Sequence, residues 1–291
     1  MNELLDSILG AEPMISAVFV ANAIVVLVWV LIFWVNSIWL KNVAIVDIAW
    51  GLGFVLVAWT TLGLNLFWSV PVIPQHWFLA ILTTVWGCRL SGYLAFRNHG
   101  MPEDKRYAAM RAKRGVSFWW KSLGIVFLLQ GVILWVVSLP LQMGIFLAET
   151  RWTPGHYFGG ALWCVGVLFE TLGDWQLHRF KLDPANKGQV MRQGLWRYTR
   201  HPNYFGDFCV WWGFYIIANA YLSAHWTLIS PLIMSFFLMR VSGVTLLEQT
   251  LRAEKPGYAD YCASTNAFFP WRPRVSTRGE STNPESLEKS C

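Results

Sequence analysis

The sequence predicts an all-α polytopic membrane protein of about seven transmembrane helices, with the N-terminus outside and the C-terminus cytoplasmic. Three observations predict it. With 55% hydrophobic residues, 14% charged residues and 19 tryptophans in 291 residues, the composition lies outside the soluble range. A spanning helix needs roughly 20 mainly apolar residues, and runs at about 14–35, 43–62, 77–96, 118–139, 157–177, 204–221 and 225–246 come close. Basic residues then alternate with the runs. Lys41, the group from Arg97 to Lys121, and the group from Arg179 to Arg200 fall on one side, and of 23 Lys and Arg only Arg151 falls on the other. The positive-inside rule makes the basic side cytoplasmic.

Each element has its own signal. The first run follows Glu3, Asp6 and Glu12 with no Lys or Arg, the reverse of a signal-peptide start. Connections 63–76 and 140–156 carry Pro71, Pro74, Pro140 and Pro154 with almost no charge, and are expected to be closing loops on the outer face. Connections 97–121, 178–203 and 247–272 mix polar groups with aromatics, so function is expected at the cytoplasmic end. No internal repeat marks a second domain, so residues 1–272 are expected to form one seven-helix domain. Residues 273–291, rich in Ser, Thr, Glu and Arg, are expected to be a flexible tail. Cys88, Cys164, Cys209, Cys262 and Cys291 lack paired spacing and are expected to be free thiols, with no metal site. The net charge of +6 is explained by topology and anionic lipid, which excludes the need for a nucleic-acid partner. No obligate protein partner is implied.

Ionisable groups inside spans are costly and mark function. Asp47 lies one turn into the second run, Arg89 in the third, Glu170 and Asp174 in the fifth, Asp207 opens the sixth and Glu248 closes the seventh. Glu170 and Asp174, four apart, share a helix face, and two stacked acids need a cation or a ligand's donors. The densest polar run is Gly194-Leu-Trp-Arg-Tyr-Thr-Arg-His-Pro-Asn-Tyr-Phe-Gly-Asp207. Pro202 biases His201 away from helix, and Asn203 is placed to cap the helix that follows. Such a break presents backbone N–H groups to an anionic ligand. Acids suit ribose hydroxyls, Lys and Arg suit phosphates, and Trp and Tyr suit flat rings.

This run resembles the C-terminal signature of the steroid 5-alpha-reductase and sterol-reductase superfamily, most closely its bacterial membrane members of unassigned substrate. Asp174-Trp-Gln-Leu, Glu103-Asp-Lys-Arg-Tyr107, Glu248, Gly257-Tyr-Ala-Asp-Tyr261 and Phe268-Phe-Pro270 are similar to the same group. The likeness runs from about Asp47 to Pro270, with the reductase-like signature at 155–272. It implies a seven-helix bundle that binds NADPH at its cytoplasmic face and reduces a carbon–carbon double bond in a lipid-like sterol, prenyl or enoyl substrate from the bilayer. The cofactor residues implied are Arg89, Tyr93, Glu170, Asp174, Lys181, Tyr198, Arg200, His201, Asn203, Asp207, Glu248 and Tyr258. Asp47 is expected to polarise the substrate carbonyl, protonated by apolar surroundings. Trp86 stands where the steroid enzymes have a tyrosine, and an indole N–H is no practical proton donor, which counts against steroid reduction. Isoprenylcysteine and phospholipid methyltransferases have a similar arginine-histidine-proline motif and closing glutamate, so an S-adenosylmethionine-dependent methyltransferase is the alternative. A transporter or assembly protein is a third.

Overall fold

A computed structural model describes residues 2–147, 150–220, 224–241, 248, 251–252 and 255–274. Among them every regular element is helical. In order these are α1 (Asn2–Trp39), α2 (Ile45–Phe67), α3 (Pro74–Asn98), α4 (Lys105–Arg114), α5 (Phe118–Ser122), α6 (Leu129–Val137), α7 (Leu139–Phe146), α8 (Pro154–Leu182), α9 (Pro202–Ala218) and α10 (Ile229–Phe236). A π-helical stretch, Leu123–Leu128, joins α5 to α6, another follows α10, and a short helix closes at Tyr258–Ser264.

Four stretches among the described residues are long and apolar enough to cross a membrane: Glu12–Trp39, Ile45–Phe67, Pro74–Asn98 and Lys105–Val137. They correspond to the first four expected runs. On α1, Val20, Ile24, Leu27, Val28 and Ile32 are exposed while Val18, Val26 and Val30 are buried. A helix apolar on both its packed and its open faces suits lipid and not water. The expected fifth run is α8, whose 29 residues are long enough, but whose Glu170, Asp174, Arg179, Lys181 and glycines lower its hydropathy. The sixth corresponds to α9, of 17 residues. The seventh begins in a 3₁₀ turn, His225–Leu228, and continues in α10; its end at 242–246 lies outside the described residues, as does 275–291 of the expected tail.

The chain divides into two compact units, one holding the described residues up to His156 with Tyr215–Ser230, the other Tyr157–Phe214 with the described residues from Pro231. In the first unit α2 packs on α1, α3 and α7. Gly51 and Gly87 let α2 and α3 touch, since a Cβ on either would stand 2.5 Å from the other's carbonyl oxygen. A buried polar seam binds α1, α2 and α7: Asn22 Nδ2 donates to Thr61 Oγ1 at 2.9 Å and Gln142 Oε1 at 3.3 Å, and Gln142 Nε2 donates to Ser138 Oγ at 2.9 Å.

The connection 140–156, expected to be a loop, is in part the helix α7, all of whose residues are buried. Pro140 misled because proline is tolerated in a helix's first turn, where its missing N–H has no partner to lose, and that is where it stands in α7. Pro74 and Pro154 likewise open α3 and α8. Both of these starts repeat one cap: in Pro74-Gln-His76, Nδ1 accepts from Ile73 N at 3.3 Å, and in Pro154-Gly-His156 from Thr153 N at 3.2 Å.

In the second unit α8 lies along α9 on glycines seven residues apart. Gly166 faces Gly206, where a Cβ on Gly206 would stand 2.5 Å from Gly166 O and 2.6 Å from Glu170 N. One seven-residue step outward, Gly213 meets Gly159 O at 2.8 Å, and one step the other way Gly173 meets Pro202 and Asn203 at 3.1 and 3.2 Å. Small residues at this spacing let two backbones approach closely.

Candidate functional site

Two polar clusters contain most of the residues singled out by sequence, one in each unit. In the second unit the run 194–201 is fastened on two sides. Leu195 N donates to Gln176 Oε1 at 3.0 Å and Trp196 Nε1 to Gly173 O at 3.0 Å, which ties it to α8. On the other side Arg200 N donates to Asn266 O at 2.9 Å, Thr199 Oγ1 to Phe268 O at 2.8 Å, and Trp271 N to Tyr198 O at 3.0 Å. Tyr261 completes this by donating from its hydroxyl to Trp196 O.

Arg200, only 2% exposed, is the centre. Its guanidinium forms a fork on Glu248, Nε to Oε1 at 2.7 Å and Nη2 to Oε2 at 3.0 Å, while Nη1 donates to the carbonyls of Thr265 at 2.6 Å and Cys262 at 3.0 Å. His201 Nε2 is 3.0 Å from the same Glu248 Oε1, with its ring stacked on Tyr204. An ionised carboxylate only accepts, so Nε2 carries the proton and Nδ1 is left as the acceptor. Burial holds the His201 imidazole below its ordinary value, against the pull of Glu248. Burial alone would push Glu248 up, but the bonds from His201 and Arg200 outweigh it and hold the carboxyl below its ordinary range. Arg200 and Glu248 thus meet each other and fasten the run to the closing segment.

The linkage has one sign for both groups. The unfolded chain protonates its histidine near 6.5 and its glutamate near 4.5, above the folded values, so it binds more protons and acid favours unfolding. Thermal unfolding midpoints measured in detergent are therefore expected to fall as pH drops below about 6.5, and to fall further below about 4.5. His201→Gln is expected to flatten the upper part of that slope; an unchanged slope would remove His201 as its source.

Beside this core, Asn203 Nδ2 donates to Asp174 Oδ1 at 3.2 Å, and Asn203 Oδ1 accepts from Tyr204 N at 3.1 Å, which sets the amide's orientation. Glu170, one turn back on α8, has its backbone against Gly206, next to Asp207. Glu170 and Asp174 are buried and Asn203 and Asp207 half-buried, and of the two acids Asp174 meets the Asn203 amide. Lys181 and Tyr198 are exposed. Tyr258 is enclosed in an apolar cluster with Tyr261 and Cys262, where burial pushes its phenol up.

In the first unit Asp47 lies in the apolar α2 and also has polar partners that its chain neighbours did not suggest. Tyr107 donates to Oδ1 at 2.9 Å and Arg106 to Oδ2 at 3.2 Å, and Gln130 Nε2 donates to the Tyr107 hydroxyl at 3.1 Å. Glu103 anchors this arrangement. It accepts two bonds of 2.9 Å from Arg111 and one of 2.7 Å from Val43 N, which pins α4 beneath the start of α2. Trp86 is fully buried against Phe54 and is not among Asp47's partners. On α3 the Tyr93 ring lies between the guanidinium groups of Arg89 at 5.6 Å and Arg97 at 5.8 Å. The residues that sequence reasoning left without a role are Arg106, Tyr107 and Gln130. Glu103-Asp-Lys-Arg-Tyr107 stood out as a run, but nothing local ties it to an aspartate some 60 positions earlier.

No solved structure matches the chain. "Uncharacterized protein C594.04c" of Schizosaccharomyces pombe is 27% identical over 227 residues, which are 66% of this chain and 62% of that protein, so the chain spans under two thirds of its relative's length. The family profile described as "Protein of unknown function (DUF1295)" matches residues 33–265, from the end of α1 through the closing helix that fastens Arg200, and the chain belongs to that family.

Proposed function

We propose that the protein is an NADPH-dependent membrane reductase that acts on a carbon–carbon double bond conjugated to a carbonyl in a neutral lipid-like molecule. The observation that carries it is the chain Gln130–Tyr107–Asp47–Arg106, a phenol hydroxyl coupled to a carboxyl near the start of an apolar helix. Reduction of such a bond develops negative charge on the carbonyl oxygen, and an aimed hydrogen-bond donor lowers its energy. The single Tyr107 O–H goes to Asp47 in the resting chain, so Tyr107 serves as the donor that Trp86 lacks by turning that proton from Asp47 to the substrate oxygen, while Arg106 keeps its hold on the carboxylate.

The donor set of the second unit suits a dinucleotide. Asp174, Asn203, Glu170 and Asp207 would take ribose hydroxyls and the carboxamide, and exposed Lys181 would take phosphate. When bound, the cofactor supplies hydride. Arg200, Glu248 and His201 hold the run that presents Asn203 and Asp207, and so act by position. We place the chain in the membrane as seven spans with the C-terminus cytoplasmic, which a C-terminal reporter active only in the cytoplasm checks.

Purified protein with NADPH and a set of enones is expected to turn over. Asp47→Asn and Tyr107→Phe are each expected to lower kcat by about 10²–10³-fold, as loss of an oxyanion donor does, while stabilisation by NADPH stays intact. Unchanged turnover in both variants removes the assignment. The shared arginine-histidine-proline run keeps the methyltransferase as the second reading. A ligand at 100 times its Kd adds about 2.7 kcal/mol of stability, so a thermal shift with S-adenosylmethionine and none with NADPH would replace the first reading by the second.

A further inference from the structure

Two uncharged runs of the first unit end side by side. No Asp, Glu, Lys or Arg lies between Pro13 and Leu40 or between Ser122 and Ala148, and Lys41 and Lys121 stand just outside these runs. The ends meet through α1 and α5: Trp34 Nε1 donates to Trp119 O at 3.0 Å and the two indole rings stack. Arg111 adds the last turn of α4, reaching Lys41 O at 3.3 Å and covering the Phe118 ring at 4.9 Å. The edge of the hydrocarbon therefore runs past the elbow where α4 turns into α5, at Gly115 with its φ of 57°.

Two kinds of side chain are left over at this elbow. Val116 is 96% exposed, Trp119 53% and Trp120 52%. Beside them the Lys113 and Arg114 side chains make no hydrogen bond or ion pair among the described residues, and Lys121 meets only the Trp120 ring, at 5.4 Å. Cations in the last turn of α4 suit its C-terminal dipole, which accounts for the charge but not for a bare valine and two tryptophans next to it. Apolar and aromatic side chains bordered by basic ones are the composition of a segment that lies at a bilayer surface.

The protein itself holds α4 weakly. A helix of 10 residues is marginal alone, and Tyr107 is its one buried residue. The ion pairs of Arg106 and Arg111 leave those side chains 47% and 37% exposed, where such pairs contribute little. Yet α4 delivers both Tyr107 and Arg106 to Asp47.

We infer that the α4–α5 elbow binds the headgroup of an anionic phospholipid, with Lys113, Arg114 and Lys121 at its phosphate and Val116, Trp119 and Trp120 among acyl chains, and that this lipid holds α4 where Tyr107 meets Asp47. A zwitterionic headgroup brings its own cation and so gains less from three unpaired basic groups. An acidic protein segment would meet the charge, but a place at the border of two uncharged runs favours lipid. The effect on turnover rests on the reductase reading above; the capacity to bind lipid does not.

Lipid binding is measured on the full-length protein by native mass spectrometry, from detergent holding equal amounts of phosphatidylglycerol and phosphatidylcholine with matched acyl chains. The wild type is expected to retain phosphatidylglycerol about tenfold better, one or two basic groups contributing about fivefold each. The Lys113→Gln, Arg114→Gln, Lys121→Gln triple variant is expected to retain the two lipids equally. Its unfolding midpoint in phosphatidylcholine bilayers is expected to stay unchanged, since none of the three side chains has an ion-pair partner to lose. Lys187→Gln, Arg197→Gln, Arg272→Gln removes as much charge from the second unit and is expected to keep the preference. Adding phosphatidylglycerol to phosphatidylcholine bilayers is expected to slow hydrogen exchange of amides 105–114 about fivefold in the wild type and not in the elbow variant. Equal retention by the wild type, a preference that survives in the elbow variant, or one lost equally in the second-unit variant overturns the site. Unchanged exchange overturns the hold on α4. In an active preparation phosphatidylglycerol is expected to raise kcat about fivefold in the wild type only, and equal kcat in both bilayers overturns the link to Tyr107. Lipid preference and slowed exchange without turnover in any bilayer leave the site standing and remove the reductase reading.

Discussion

Replacing Glu248 by Ala is expected to lower the unfolding midpoint of the detergent-solubilised protein by roughly 10 °C, from a loss of about 3–5 kcal/mol. The cost lies in what is left behind. Arg200 is 2% exposed, and without its carboxylate a guanidinium remains in the interior facing carbonyls such as those of Cys262 and Thr265, which carry no neutralising charge. Breaking one side of a buried pair is worse than removing both, because an uncompensated charge costs more than a missing attraction. The Arg200→Met, Glu248→Met double variant is therefore expected to recover most of the lost stability. Recovery of binding of the proposed cofactor along with stability would show that the pair serves the site by holding 194–201 in place. A loss below about 1 kcal/mol for Glu248→Ala, the range of exposed pairs, would deny the pair its central place.

That ion pair also shows the limit of sequence reading. Arg200 and Glu248 each stood out as charges next to apolar runs, and both were expected to touch a cofactor. Their pairing spans 48 positions and depends on how the closing segment folds back over the run, which no local pattern encodes. Asp47 is the same case: its depth in α2 was legible from the apolar residues around it, but Arg106 and Tyr107 reach it from α4, and chain neighbours alone suggested hydrocarbon.

Local periodicity was legible where local physics decides. Glu170 and Asp174 share a face because a helix brings residues four apart together, and Asn203 follows Pro202 into α9 because proline fixes where that helix starts. The first four crossing stretches followed from hydropathy alone. Pro140 was misread because the same residue that ends one helix also opens the next, and only packing shows that Leu139–Phe146 is buried. The glycines at 159, 166, 173, 206 and 213 carried a readable signal, a seven-residue step on two successive helices, whose meaning needed the partner helix.

Gly206→Val is expected to disrupt the α8–α9 contact and with it ligand binding. A Cβ at 206 would stand 2.5 Å from Gly166 O and 2.6 Å from Glu170 N, and both obstacles are backbone, so no rotamer change relieves them. The helices must part, at a cost of about 1–3 kcal/mol for overpacking. Parting them stretches the 3.2 Å bond between Asn203 and Asp174, which lies one turn from Gly206, so affinity for the proposed cofactor, NADPH, is expected to fall more steeply than the unfolding midpoint. Gly63→Ala and Gly92→Ala provide the contrast, since a Cβ at either helical position meets nothing within 4 Å. They are expected to be neutral or to stabilise by up to about 1 kcal/mol, the difference in helix propensity. If Gly206→Val unfolds at the wild-type temperature and binds NADPH unchanged, the close approach of α8 and α9 is not what presents Asp174 and Asn203.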